Sequence, residues 1–337
     1  MRTMRPDFRR WIVLLCGAVM LTAGTACGPT AYKITPVPAD QELREKVLVD
    51  EGGLMPTKIV LIDVDGILIN RDKPTLFGQG EHPVSMFVEK LDKAAADPSV
   101  KAVILRINSP GGSVTASDLM YTEILRFKTL TKNQRPVMAL LMDVAASGGY
   151  YVACACDEII AQPTTVTGSI GVIMQMVNFS GTMARIGITA DAVTSGPMKD
   201  AGSPFRPMKP EEREVFQKLV DQFYERFVVA VATGRKNLTV EQVREVADGR
   251  VYSASEAMDL GFVDGIGTLR DGLALLKKQL GARRVRVVTY HRPLDWKPNI
   301  YAEAPGGAPQ VNLVNITLPE HWPHPTPQFM YLWAPGL

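Results

Sequence analysis

Histidine is scarce in this chain. The four present, His82, His291, His321 and His324, avoid the stretch where the other chemistry-bearing residues gather. A serine triad with histidine as its base is therefore poorly supported. Cysteine is scarce too: four residues are too few for a disulfide scaffold. Cys154 and Cys156 sit two apart in an apolar run, a poor geometry for a bridge, and read as small buried side chains. There is no excess of one charge: 37 basic against 35 acidic residues leave a net +2. That balance argues against a nucleic-acid partner, which calls for a basic patch or stripe. No internal repeat is visible, so one catalytic unit is expected.

A long apolar run is also missing. The best, Trp11–Ala23, falls short of the roughly 20 residues that an ordinary spanning helix needs. It follows Arg2, Arg5, Arg9 and Arg10 and precedes Gly24, Thr25, Ala26 and Cys27. A basic start, a short apolar core and small residues form the pattern of a secretory signal over residues 1–27. Cys27 resembles the lipid-modified cysteine of bacterial lipoproteins, with Gly24 standing where that pattern prefers leucine. An ordinary cleaved signal and an uncleaved anchor are the alternatives. All three place the catalytic part outside the cytoplasm, in a cell envelope.

Residues 28–56 are polar, carry Pro29, Pro36 and Pro38, and read as a linker with a short helix near Gln41–Val47. From Lys58 onward apolar runs alternate with helical spacing. Lys58–Val64, Lys101–Ile107, Pro136–Met142, Asp157–Ala161 and Gly171–Met174 read as strands, and Thr189–Val193 as a weaker one. Ser113–Leu130 and Glu211–Thr233 show apolar residues at helical spacing. Strand, turn, helix and strand in repetition argue an α/β fold. Residues 57–280 are expected to form the enzyme domain. Residues 281–337 form a Pro-rich extension with Trp296, Tyr301, Trp322, Phe329, Tyr331 and Trp333, which packs on the domain or on a neighbouring chain.

Two turns between a strand and a helix carry the chemistry. In Asn108-Ser109-Pro110-Gly111-Gly112-Ser113 the glycines allow a sharp bend that leaves N–H groups free for an oxyanion, or make a plain tight turn. In Ala145-Ala146-Ser147-Gly148-Gly149-Tyr150 the serine stands at a strand end where a helix opens, either as a nucleophile or as a helix cap. A serine nucleophile needs a base. Lysine serves when burial leaves part of it neutral. Lys199 lies among small residues in Ser195-Gly196-Pro197-Met198-Lys199-Asp200, where Asp200 is the competing partner.

The order GGS, AASGGYYVA, TGSIGV and SGPMKDAGSPFRPM, over about Ile59 to Gly267, resembles the signal peptide peptidase A family in its short form. The resemblance implies a Clp-protease/crotonase-like spiral of ββα units and a serine–lysine peptidase. Position by position, Ser147 matches the nucleophile, Lys199 the base and Ser169 the serine that hydrogen-bonds the lysine. Gly111 or Gly112, with Gly148, matches the oxyanion hole. The substrates implied are remnant signal peptides, apolar and with small side chains near the cut. No metal or cofactor is needed. A homo-oligomer facing the membrane is implied, and with one catalytic unit per chain the expectation is that Lys199 of one protomer completes the site around Ser147 of its neighbour; a dyad within one chain is the alternative, which the spacing does not forbid. An acyl-CoA enzyme on the same spiral, or an inactive scaffold, would have no use for the Ser/Lys pair.

Overall fold

The computed structural model describes residues 42–72, 74–75, 78–79, 82–292, 328–333 and 335. The signal region, Cys27 and most of the Pro-rich extension lie outside them.

In chain order the elements are β1 (Arg44–Asp50), β2 (Thr57–Asp65), the short pair β3 (Pro74–Thr75) and β4 (Gly78–Gln79), and α1 (Pro83–Ala96). Next come β5 (Val100–Ser109), β6 (Gly111–Ser113), α2 (Val114–Leu130), β7 (Val137–Ala146) and α3 (Gly148–Ala153). They are followed by β8 (Glu158–Ala161), β9 (Val166–Gly168), β10 (Ile173–Gln175), α4 (Ser180–Arg185) and α5 (Pro210–Gly234). The rest are α6 (Val240–Val246), β11 (Val251–Ser253), α7 (Ala254–Asp259), β12 (Gly265–Ile266), α8 (Leu269–Gln279), β13 (Val285–His291) and β14 (Gln328–Leu332).

The main sheet runs β1-β13-β2-β5-β7-β8-β12, with β9 branching from β7 and β11 from β9. From β13 through β12 the pairs are parallel. Parallel strands covered on both faces need apolar residues at every position, which is why these runs show no alternation. Val60, Ile62, Val103 and Leu105 face one core with Phe87, Leu91, Ile124 and Phe127. Ile59, Leu61, Ile104 and Leu140 face another with Leu269 and Leu276. The units β5-β6-α2 and β7-α3 turn the chain into an α/β spiral, and each ends its parallel strand in a sharp turn.

Three expectations need correction. Residues 44–50 form a strand, not a linker with a short helix; β1 pairs antiparallel with β13. β13 itself was expected in the C-terminal extension, so the folded unit is wider than 57–280 on both sides. β1 is hard to read because it is an edge strand, its Leu48 and Val49 only half-buried and its Val47 exposed. Thr189–Val193 is exposed chain without strand pairing; with Ala190, Asp191 and Ala192 between two β-branched residues it has little strand propensity, and no sheet edge receives it.

Candidate functional site

Among the described residues four non-glycine residues have positive φ: Lys132, Asn133, Ser147 and Ser169. The first two close α2. The other two are the candidate nucleophile and its predicted neighbour. Such a backbone costs on the order of 1–3 kcal/mol per residue and persists only where the surroundings over-determine it. Here they do. β7 and β9 pair in parallel up to Ala146 and Gly168. Ser147 N–H donates to Gly168 O at 2.7 Å, and Ser169 N–H to Arg250 O at 2.7 Å. Thr167 Oγ1 adds a bond to Ala145 O at 2.6 Å.

Ser147 stands before the first turn of α3 at φ 51°, ψ −118°, and makes no side-chain capping bond. It is only 1% exposed. A capping serine has extended backbone and accepts from the second or third helical N–H; Ser113, at the start of α2, does just that with Ala116 N. Ser147 does not behave as a cap, so the bland reading of this serine fails on geometry.

The glycines lie beside it. A β-carbon on Gly111, at φ 101°, would overlap the Tyr331 carbonyl oxygen and come within 2.6 Å of Gly148 N. A β-carbon on Gly148 would strike Ser117 Oγ and approach Gly111 Cα to 3.1 Å. The two backbones pass so closely that neither position accepts a side chain. Gly111 N–H is spent on Ser109 Oγ at 3.1 Å, and that hydroxyl donates to Gly66 O at 2.6 Å. Gly112 is instead held by β14, whose Tyr331 lies opposite it.

The comparisons with known proteins supply the family. The family model for peptidase family S49 matches residues 129–283. A candidate signal peptide peptidase SppA of Enterococcus faecium is 35% identical over 84% of this chain and 84% of its own. The chain belongs to peptidase family S49. A candidate protease of Methanocaldococcus jannaschii is 36% identical over 64% of this chain and 68% of its own. A chloroplastic serine protease SPPA of Arabidopsis thaliana is 35% identical over 69% of this chain and 34% of its own. As an S49 member this chain is a serine peptidase on a Clp-protease-like spiral, and its substrates are peptides.

Within one copy of this S49 peptidase, Ser147, Ser169 and the three glycines are brought together, but Lys199 is not joined to them. Lys199 is exposed in a turn between α4 and α5, its N–H bonded to Gly196 O at 3.1 Å. Asp200, the expected competitor, is taken by Arg206 at 2.7 Å, and that guanidinium holds its carboxyl below the usual range. Arg206 also reaches the buried Glu212. Among the described residues none pairs with the Lys199 ammonium. The arm around it displays Phe179, Ile186, Ile188, Val193, Met198 and Phe205, all exposed. Two described histidines serve elsewhere: His82 caps α1, and His291 ends β13 at the sheet's far side. Burial pushes the Cys154 thiol up to about 12, so it stays an inert core residue.

A cleft of about 440 Å³ opens beside Ser169, lined among others by Ile173, Tyr224, Asp248, Leu332 and Trp333. Sequence reading missed the aromatic cluster beneath the site. Tyr151, in the helix that Ser147 opens, lies 5.0 Å from Tyr121 and 5.1 Å from Phe227 between ring centres. Its hydroxyl donates to Asp118 at 2.7 Å, and Arg226 holds the same carboxylate. The paired tyrosines of the SGGYY motif were the available signal.

Proposed function

We propose that this chain is a cell-envelope endopeptidase that uses Ser147 as nucleophile and the Lys199 of a neighbouring protomer as base, and that degrades remnant signal peptides. One observation carries the reading: Ser147 is locked in a strained turn, is not used as a cap, and sits against the close-packed backbones of Gly111 and Gly148. Neutral Lys199 takes the Ser147 proton as Oγ bonds to the scissile carbonyl carbon. The oxyanion is held by the Gly148 N–H and an N–H of the Gly111–Gly112 turn. Collapse breaks the C–N bond, and the lysine returns its proton to the leaving amine. Water, deprotonated by the same lysine, then hydrolyses the acyl-enzyme. Ser169 orients the lysine. A low-polarity setting is what leaves a lysine partly neutral. Lys199 is exposed in one copy, so covering it with a second copy supplies that setting. The apolar arm offers the surface to be covered, and a closed head-to-tail ring gives every serine a partner.

The experiment is subunit mixing. Lys199→Ala is expected to be inactive, and Lys199→Arg as well, because a guanidinium does not give up its proton. Ser147→Ala is also inactive alone. Co-assembled Ser147→Ala and Lys199→Ala protomers should regain part of the activity. Verified mixed oligomers that stay inactive would place the dyad within one chain. The envelope location rests on the Arg-rich start and the Trp11–Ala23 run. Mass spectrometry of the mature N-terminus tests it: a lipid-modified Cys27 supports the tethered form, and an intact Met1 on a cytoplasmic protein defeats every form.

A further inference from the structure

We infer that Ser109 is a positioning residue for peptide hydrolysis: its buried hydroxyl sets the Gly111–Gly112 turn so that Gly112, and not Gly111, presents the second N–H to the oxyanion beside Gly148. The inference rests on the proposed function, in which Ser147 attacks and backbone N–H groups receive the negative oxygen.

Ser109 ends β5 and is fully buried. It stands just after a register shift: β5 and β7 pair regularly up to Ile107 with Leu141, and pairing resumes at Ser109 opposite Ala145. Three turns meet at this residue. The first follows β2, where Gly66 at φ 71° donates its N–H to Asn108 O at 3.0 Å. The second is Pro110-Gly111-Gly112. The third opens α3, where a β-carbon on Gly149 would come within 2.6 Å of Ser109 O and 3.3 Å of Ser109 Cβ.

The hydroxyl is used twice. It donates to Gly66 O at 2.6 Å and accepts from Gly111 N–H at 3.1 Å. A serine oxygen carries one proton and two lone pairs, so both bonds hold at once. Removing it would leave the buried Gly111 N–H without this acceptor, a cost that the turn relieves only by moving.

Gly112 faces the other way. Leu68 N–H donates to Gly111 O, and Ser113 N–H donates to Leu68 O, both at 2.8 Å. These bonds flank Gly112, so its own N–H points away from Leu68. On that other side β14 runs, and Gly148 N lies 2.6 Å from where a Gly111 β-carbon would stand. Ser109 thus takes the Gly111 donor out of use and fixes the peptide plane from which Gly112 turns toward Gly148. Misplacing such a group by about 1 Å costs on the order of 100-fold in rate.

The test compares the parent with Ser109→Ala and Ser109→Thr, using an apolar peptide with alanine on both sides of the cut, and two probes. A peptide aldehyde of the same sequence accepts the Ser147 oxygen at its carbonyl carbon; the Ser147 proton goes to the base, and the aldehyde oxygen takes the oxyanion's place. The matching peptide alcohol has no carbonyl to place. Ser109→Ala should lower kcat about ten-fold to a hundred-fold with KM changed less than about two-fold, and weaken the aldehyde by the same factor. The alcohol should bind parent and variant alike, whereas a residue that only supports the fold would weaken both probes or neither. Ser109→Thr, which keeps the hydroxyl, should recover most of both losses. A folded Ser109→Ala with the parent's kcat and aldehyde affinity overturns the inference, and so does one that loses aldehyde and alcohol equally. A parent that neither hydrolyses the peptide nor binds the aldehyde defeats the catalytic reading itself, and the inference with it. Should Ser109→Ala not fold, Ser109→Cys, with its weaker acceptor, is judged by the same criteria; if neither folds, Ser109 serves the fold alone and the inference fails.

Discussion

The serine turns and the lysine arm are built on opposite principles. Ser147 and Ser169 close two parallel strands, are nearly inaccessible, and hold backbone angles that only a rigid surround maintains. Lys199 rides on an exposed segment whose apolar side chains face solvent, secured by Asp200–Arg206–Glu212 at its base. One half of the candidate site is thus finished within a single copy, and the other half is presented outward. Preorganisation is found at the serine turns, and the proposed reading leaves the completion of the site to a second copy.

Breaking the rigid half should have the largest effect. Ser147→Ala should reduce peptide turnover by about 1,000-fold or more while the circular dichroism spectrum is unchanged. Ser147→Gly should be as inactive, yet more stable than Ser147→Ala by about 1 kcal/mol in urea unfolding, because glycine relieves the positive φ. Equal stabilities of the two variants would mean the turn is unstrained. Ser169→Ala should lower kcat by about ten-fold to a thousand-fold, as expected of a positioning group; unchanged kinetics would leave it a turn residue.

The outward half should respond differently. Phe179→Asp with Phe205→Asp should shift the protein toward monomer in analytical ultracentrifugation, with activity lost in proportion and thermal stability of the monomer nearly kept. A variant that stays assembled and active would show that the arm contacts no other copy. The smallest effect is expected at the starts of β2 and β5, the opposite strand ends from the serine turns. Burial alone would raise the Asp97 carboxyl, but Lys58 and Ser99 outweigh it and hold it at about 2. A lowered carboxyl contributes stability that is present above its unfolded value near 3.8 and is lost as pH falls through about 2. Asp97→Asn should therefore cost about 1–2 kcal/mol at pH 7, less toward pH 2, and leave kcat/KM unchanged.

Much of this was legible in the residue order. The central strands announce themselves because both faces are buried, so Lys101–Ile107 and Pro136–Met142 read as continuous apolar runs. Helix α5 was legible to within a residue at each end, from Pro210 at its start and its apolar spacing. β1 and β13 were not, because β1 has only β13 to pair with, across nearly the whole chain, and β13 joins the sheet beside β2 from far along the sequence. β14 was hidden for the same reason, five residues among prolines whose meaning lies in Gly112. The positions of Ser147, Ser169 and Lys199 came from motif order. That Ser147 and Ser169 share one strained bridge through Gly168 came from the backbone alone.

The seat of β14 sets how this molecule bears a load. Arg44 lies opposite His291, so β1 and β13 end at adjacent points of one sheet edge. The chain is tied down again beyond His291, because β14 pairs with β6 on one side and β10 on the other. Tension drawn through the two ends of the described chain therefore acts on β1 at one end and on β14 at the other. The glycine turn beside Ser147 lies on that second path, and β13 bears nothing from it until β14 has parted from its two short partners.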